Sequence, residues 1–189
     1  MVKINTCVFI SGRGTNLKKL ILNSNNYNFP IKIKLIVSNN KNAEGLQLAK
    51  KWSIPYYIFD KNQSLSEYKT LIKLKSYNIN LILLAGFMKI LSKKFIRSFG
   101  KPIINIHPSL LPKFKGLETF KRMLQKNEKK TGCTVHFVTE KLDAGKIILK
   151  KIFYINKEDD IASLKKKTQN LEYSAFSEAV IKVTRNTIC

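Results

Sequence analysis

Short apolar runs alternate with amphipathic stretches along the first two thirds of this chain, and this alternation restricts the fold more than any other feature. The apolar or β-branched runs, typical of strands, are residues 4–10, 31–38, 55–59, 81–85 and 102–107. Stretches with helical spacing separate them, at residues 16–24, 43–52, 64–77 and 92–99. Strands and helices that alternate in this way form βαβ units with parallel strands. The pattern predicts an α/β, Rossmann-like fold: an open, mostly parallel twisted sheet with helices on both faces.

The pattern changes after residue 130. Two strand-like runs, "GCTVHFVT" and "KIILKKIFYI", are joined by a short turn through Asp143 to Gly145, and a last helical stretch covers about residues 160–183. This order predicts an antiparallel or mixed extension of the same sheet. The 189 residues are 44% hydrophobic, enough for one sizeable core, and no linker or repeat interrupts them. Residues 1–189 are therefore expected to form a single domain.

The formal net charge of +23 is extreme for a chain of this length. Such a charge raises nucleic acid, anionic membranes and acidic small molecules as partners. The lysines are scattered over nearly every predicted element, which favours a compositional bias over one binding face. We therefore do not expect a nucleic-acid partner, and a polyanion-binding surface stays the alternative.

The cysteines and the apolar segments indicate where the protein works. Cys7, Cys133 and Cys189 are far apart and lack the spacing of metal ligands, as expected in a reducing cytosol. The apolar run near the N-terminus is too short for a signal peptide, and Lys89 interrupts "LILLAGFMKIL" well short of a membrane span. A cytoplasmic protein with no membrane segment and no metal is expected.

The loop "ISGRGTNL", residues 10–17, follows the first strand and opens a helix. In open α/β sheets ligands bind beyond the carboxyl ends of the strands, where such loops lie. The N–H groups of Gly14, Thr15 and Asn16 would point at an anion with the helix dipole behind them, so a phosphate fits. The loop matches neither the dinucleotide fingerprint nor a Walker loop. The alternative is an ordinary turn capped by Thr15 or Asn16.

The segment "IINIHPSLLPKF", residues 103–114, ends a strand with two polar side chains on one face. Asn105 and His107 are two apart and so project together, and Pro108 fixes the exit of the chain. A carboxamide donor beside an imidazole is typical of a pair that stabilises an oxyanion and moves a proton. The alternative is a strand end with a histidine satisfied in the core.

Asp143 lies in the turn between the last two predicted strands. An aspartate before Ala and Gly usually serves the turn itself. If the fold brought Asp143 to His107, its carboxylate would favour the charged imidazole and fix the orientation of the ring. Sequence spacing alone leaves both readings open.

Four segments, in this order and at these distances, carry a resemblance to a known family: "SGRGTNL", "LAGFMKIL", "NIHPSLLPKFKG" and "GCTVHFVTEKLDAGKII". They resemble the phosphoribosylglycinamide formyltransferases of purine biosynthesis, from residue 4 to about residue 180. The resemblance implies the formyltransferase fold and an enzyme that uses 10-formyltetrahydrofolate as co-substrate. It would formylate the amine of glycinamide ribonucleotide, without a metal, and release tetrahydrofolate.

The resemblance also implies roles for residues at matching motif positions. The catalytic trio of the family falls on Asn105, His107 and Asp143. The ribonucleotide-binding positions are Gly14, Thr15, Asn16 and Glu172. The folate-binding positions are Met88, Lys89, Ile90, Leu91, Asn105, Thr139, Glu140, Lys141, Leu142 and Asp143. The implied partners are the two small substrates, with the chain a monomer or weak homodimer.

The chain departs from the family pattern near these positions. Lys115 stands where the family usually has Pro, and Glu118 where it usually has His. "LDAG" replaces the commoner "LDGG" or "MDTG", and an arginine expected near residue 65 has no counterpart in "QSLSEYK". These departures concern the affinity for the folate tail and leave the trio and the phosphate loop intact.

Three other functions share some of these features. Methionyl-tRNA formyltransferase shares the Asn-x-His motif but is longer, with an additional tRNA-binding domain. Formyltetrahydrofolate hydrolase carries an N-terminal regulatory domain. A basic nucleic-acid-binding module rests on the charge alone, and it would need basic and aromatic residues clustered on one face.

Overall fold

A computed structural model describes residues 2–59 and 62–185. Its strands are β1 (Ile4–Ile10), β2 (Ile31–Ser38), β3 (Tyr56–Ile58), β4 (Leu81–Leu84), β5 (Ile103–His107), β6 (Lys130–Phe137) and β7 (Ile147–Tyr154). Its helices are α1 (Thr15–Ser24), α2 (Gly45–Lys51), α3 (Gln63–Ser76), α4 (Lys93–Phe99), α5 (Thr119–Gln125) and α6 (Ile161–Arg185). The strands and helices predicted before residue 110 agree with these bounds within two residues.

The strands form one seven-stranded sheet in the order β3-β2-β1-β4-β5-β6-β7. The strands β1 to β5 are parallel to one another, whereas β6 pairs antiparallel with both β5 and β7. The predicted Rossmann-like α/β fold and its antiparallel extension are therefore confirmed. The chain runs outward from β1 in one direction to β3 and in the other from β4 to β5. This reversal creates a topological switch point between β1 and β4.

Apolar side chains fill both faces of the sheet, as expected when helices cover both. One core cluster joins α1, α2 and α6 to the sheet and includes Leu17, Ile36 and Phe176. The other lies under α3 and α4 and includes Phe9 and Phe95, whose rings meet edge to face. β4 is buried at all four positions. This burial anchors the strand ends that carry the loops described below.

Two local expectations were incomplete. The helix α5 was not predicted, and it begins at Thr119 after Glu118, whose φ of 54° is left-handed. The connection between β6 and β7 spans residues 138–146, which is longer than the short turn expected. No local hydrophobic period marks such a connection, because its shape depends on contacts with β5 and the loop before α5.

The cysteines in the described part of the chain are structural. Cys7 and Cys133 are buried free thiols, and burial raises the pKa of Cys133 to about 12. Cys189 lies outside the described residues. No helix within residues 2–59 and 62–185 is long and apolar enough to cross a membrane. The same residues contain no group of three or more metal-binding side chains.

Candidate active site

A cavity of about 750 Å³ opens at the carboxyl ends of β1, β4 and β5. The switch point between β1 and β4 lies at the same edge of the sheet, where open α/β sheets bind ligands. Loops after all three strands line the cavity, together with one face of α6 and the connection between β6 and β7. Every residue that the sequence suggested for catalysis or binding lines this cavity.

Asn105 and His107 project into the cavity from the end of β5. In the antiparallel pair with β6, Asn105 lies opposite His136 and His107 lies opposite Thr134. His107 is buried, with 5% of its surface exposed. β5 is paired on both sides, so its backbone orientation is fixed. Side chains alternate between the two faces of a sheet, so Asn105 and His107, two residues apart, point to the same face.

Both ring nitrogens of His107 face acceptors. Its Nε2 donates to the backbone carbonyl of Phe114 at 2.8 Å, and its Nδ1 lies 3.4 Å from Oδ2 of Asp143. A neutral imidazole has only one N–H, so the ring can donate to both neighbours only when it is protonated. Both ring nitrogens of His107 therefore lie beside oxygen atoms that accept hydrogen bonds.

Asp143 lies 36 residues from His107 in sequence, and the long connection after β6 brings it beside the imidazole. Only 8% of its side chain is exposed, and its Oδ2 accepts a hydrogen bond from the backbone N–H of Gly116 at 2.8 Å. The carboxylate thus joins the loop before α5 to the end of β5. An aspartate that only served a surface turn would not make these contacts with His107 and Gly116.

His136 is a neighbour that the sequence analysis missed. Its Nδ1 donates to the carbonyl of Phe137 at 2.8 Å, so its Nε2 is free to accept from the Nδ2 of Asn105 at 3.2 Å. Burial lowers the pKa of His136, which favours this neutral ring. The register of β5 against β6 places His136 beside Asn105. In the sequence, the only sign of this contact was a second histidine in a predicted strand. His136 orients the carboxamide of Asn105.

The loop after β1 ends at Gly14, which is the N-cap of α1 and has a φ of 71°. A Cβ on Gly14 would lie 2.7 Å from the Cα of Gly45, so the close approach of α2 also requires glycine. No side chain caps α1, and the capping role considered for Thr15 or Asn16 is not observed. The first N–H groups of a helix have no intrahelical partner, so this end of the cavity offers donors to an anion.

Two hydrogen bonds hold the start of α1 against α6. Gln169 donates from Nε2 to Oγ1 of Thr15 at 2.6 Å, and Asn16 donates from Nδ2 to Oε2 of Glu172 at 2.9 Å. Burial raises the pKa of Glu172 to about 6, although the hydrogen bond from Asn16 acts in the opposite direction. The Oδ1 of Asn16 is buried without a hydrogen-bond partner. Gln169 is a further cavity residue that the sequence analysis did not single out.

Another part of the cavity is an open apolar wall. Met88 and Ile90 are each 67% exposed, and Leu142 is 51% exposed, although all three line the cavity. The remaining residues assigned to folate also line it, namely Lys89, Leu91, Thr139, Glu140 and Lys141. An exposed apolar wall opposite a polar strand end suits a flat molecule with one polar edge.

Two of the residues that depart from the family pattern, Lys115 and Glu118, lie in the loop before α5. Glu118 lines the cavity and precedes the first residue of α5. The carbonyl of Lys115 accepts a hydrogen bond from Arg122, and the charge of Lys115 adds to burial and to His107 in lowering the pKa of His136. Lys115 therefore contributes to the electrostatics around His136.

Comparison with known proteins shows which family the chain belongs to. A family model described as formyl transferase matches residues 4–180. The chain belongs to the formyl transferase family. It is 39% identical to a phosphoribosylglycinamide formyltransferase of Haemophilus influenzae, over 89% of this chain and 82% of that protein. The resemblance noted from the motifs is thereby confirmed.

Two further comparisons define the extent of the likeness. The chain is 40% identical to the trifunctional purine biosynthetic protein adenosine-3 of Gallus gallus over 94% of its own length, and it spans only 18% of that protein. A solved phosphoribosylglycinamide formyltransferase from Brucella melitensis superimposes with a TM-score of 0.90 at 34% identity, covering 96% of this chain and 95% of the other. The formyltransferase fold therefore extends over nearly the whole chain.

Proposed function

We propose that the protein transfers a formyl group from 10-formyltetrahydrofolate to the amine of glycinamide ribonucleotide. The convergence of Asn105, His107 and Asp143 at the centre of one cavity carries this proposal. The start of α1, which no side chain caps, and the apolar wall line the same cavity as the trio. Two substrates could therefore meet at the trio, the ribonucleotide from the α1 side and the folate from the β4 side.

The reaction develops a negative charge on the formyl oxygen and moves a proton between two nitrogens. The amine nitrogen forms a bond to the formyl carbon, and the carbonyl oxygen becomes an oxyanion. The bond between that carbon and the folate nitrogen then breaks. The attacking amine loses one proton and the folate nitrogen gains one, so a proton must be carried between the two nitrogens.

Asn105 and His107 would donate hydrogen bonds to the oxyanion. One such donor in a buried site contributes roughly 3 kcal/mol to transition-state stabilisation. Because His136 accepts one N–H of the Asn105 carboxamide, the other N–H is held in a fixed direction and can meet the oxyanion. The Nε2 proton of His107 is bound to Phe114, so donation to the substrate requires the exchange of that hydrogen bond.

Asp143 would hold His107 in its charged form and assist the movement of the proton. The carboxylate faces Nδ1 at 3.4 Å, so it stabilises the imidazolium without blocking Nε2. Folate supplies the activated formyl carbon, and the protein supplies orientation and electrostatics. The phosphate of the ribonucleotide would bind the N–H groups of Gly14, Thr15 and Asn16, with Glu172 beside the ribose.

The decisive experiment measures formyl transfer from 10-formyltetrahydrofolate to glycinamide ribonucleotide by the absorbance of the folate product. We expect release of tetrahydrofolate to require the ribonucleotide and to yield its formylated form. Methionyl-tRNA as acceptor and a reaction with water alone serve as controls. Folate release that does not depend on the ribonucleotide would identify a hydrolase, and transfer to methionyl-tRNA alone would identify the tRNA enzyme. Either result contradicts the proposal.

A further inference from the structure

The face of α6 that lines the cavity extends beyond the residues considered so far. Ile161, Lys165, Gln169 and Glu172 all line it, at the spacing of four, four and three residues that places side chains on one helix face. Gln169 contacts Thr15 and Glu172 contacts Asn16, so this face is fixed against the start of α1. Lys165 lies one turn from Gln169, about 6 Å along the axis, toward the first residue of α6.

The ammonium group of Lys165 is available for a ligand. Lys165 is exposed, and within residues 2–59 and 62–185 it forms no hydrogen bond or ion pair. Two other lysines are engaged: Lys167 pairs with Asp159 at 2.7 Å, and Lys113 pairs with Glu128 at 2.9 Å. Lys165 is distinguished from them by its place on the cavity wall. Glu172 is seven residues from Lys165, about 10 Å along the helix axis, and its carboxylate already accepts from Asn16.

Charge balance at this end of the cavity calls for a cation. A phosphate monoester carries nearly two negative charges near neutral pH, whereas a helix start supplies about half a positive charge. Arg13, in the loop before α1, also lines the cavity and forms no hydrogen bond or ion pair within the described part of the chain. Lys165 lines the same cavity from a different element, α6, which contacts the start of α1. A phosphate on the loop would therefore share the cavity with two unpaired cations.

We propose that Lys165 binds the phosphate of the ribonucleotide substrate and so selects phosphorylated over unphosphorylated riboside. Its flexible four-carbon stem can bring the ammonium group to a phosphate seated on the neighbouring helix start. The N–H groups of the loop set the position of the phosphate, and Lys165 adds the charge that distinguishes it from a neutral group. This inference rests on the proposed function, because the substrate is taken to be a ribonucleotide.

Lys166 provides a matched control for Lys165. Both residues are exposed on α6 and both lose one positive charge on replacement by glutamine, but Lys166 does not line the cavity. We expect Lys165→Gln to weaken the binding of ribose 5-phosphate, measured by titration calorimetry, by about tenfold. We expect Lys166→Gln to leave it unchanged within twofold, and Lys165→Arg to retain it within threefold. Ribose without phosphate should bind equally to all four proteins.

Kinetics supplies a second, independent measurement. In Lys165→Gln the KM for glycinamide ribonucleotide should rise about tenfold, with kcat and the KM for folate within twofold of the wild type. Equal behaviour of Lys165→Gln and Lys166→Gln in both assays would overturn the inference while formyl transfer by the wild type still stood. Selective loss of ribose 5-phosphate binding in a protein that transfers no formyl group would instead support Lys165 and refute the proposed function. A wild type that shows neither activity nor ribose 5-phosphate binding would refute both.

Discussion

Replacement of Glu172 by glutamine should make the protein more stable at neutral pH while it weakens the site. Glu172 is a half-buried carboxylate, and its pKa is raised to about 6 from the ordinary 4.5 because burial penalises the charge. Each pH unit of displacement corresponds to ~1.4 kcal/mol, so the charged carboxylate costs about 2 kcal/mol of folding free energy. Glutamine keeps an oxygen that can accept from Asn16 and removes the charge.

The sign of the effect sets the pH window. The folded protein binds the proton of Glu172 more tightly than the unfolded chain, so the penalty is absent below pH 4.5, grows up to about pH 6 and is complete above it. The free energy of unfolding of Glu172→Gln, relative to that of the wild type, should therefore rise by about 2 kcal/mol between pH 4 and pH 8. For a chain of this size the gain corresponds to roughly 4–8 °C in Tm.

The assay is thermal or urea denaturation of both proteins at several pH values between 4 and 8. Glu158→Gln is the matched control, because Glu158 is exposed just before α6 and its replacement removes the same charge. We expect the stability difference between Glu158→Gln and the wild type to stay nearly constant with pH. If the stability difference between Glu172→Gln and the wild type is equally independent of pH, the carboxylate is not desolvated and the reasoning is wrong. A rise in the KM for the ribonucleotide would accompany the gain if Glu172 binds the ribose.

Four further predictions concern the trio, the phosphate loop and the surface charge. Asp143→Asn should keep both substrate affinities within a few fold and lower kcat by at least ~100-fold, and a fully active variant would return Asp143 to a structural role. His136→Leu should lower kcat by about tenfold, because the carboxamide of Asn105 loses its acceptor; an unchanged kcat would contradict the orienting role of His136. Gly14→Val should lower Tm as well as ribonucleotide affinity, since its Cβ would meet the Cα of Gly45 at 2.7 Å, and an unaltered Tm would contradict that contact. Binding to random RNA should be weak and disappear as salt rises, whereas sub-micromolar, sequence-dependent binding at physiological salt would reveal a nucleic-acid surface.

The prediction that residues 1–189 form a single domain stays a prediction, as does the assignment of the individual site residues. Limited proteolysis would test the former, because a linker between domains is cleaved before the domains are. A change of oligomeric state with concentration, measured by ultracentrifugation, would test the expectation of a monomer or weak homodimer.

The amino-acid sequence alone determined the alternation of strands and helices, and with it the parallel part of the sheet. Hydrophobic period is a local property, so it survives in the sequence without knowledge of distant contacts. The same local reasoning placed a glycine-containing loop at the start of α1 after β1, and it put Asn105 and His107 on one face of β5. It missed α5, whose start depends on the left-handed Glu118, and it shortened the connection between β6 and β7.

Only the tertiary structure decided which of these residues meet. Asp143 reaches His107 across 36 residues from a connection that carries no periodic signal. Asn16 in α1 reaches Glu172 in α6 across 156 residues, and the period of each helix does not show that the two helices meet. The neutral ring of His136 and the raised pKa of Glu172 follow from burial and from partners on other elements. Protonation states and the direction of a hydrogen bond depend on what lies within a few ångströms, and that neighbourhood is set by the packing of the whole chain.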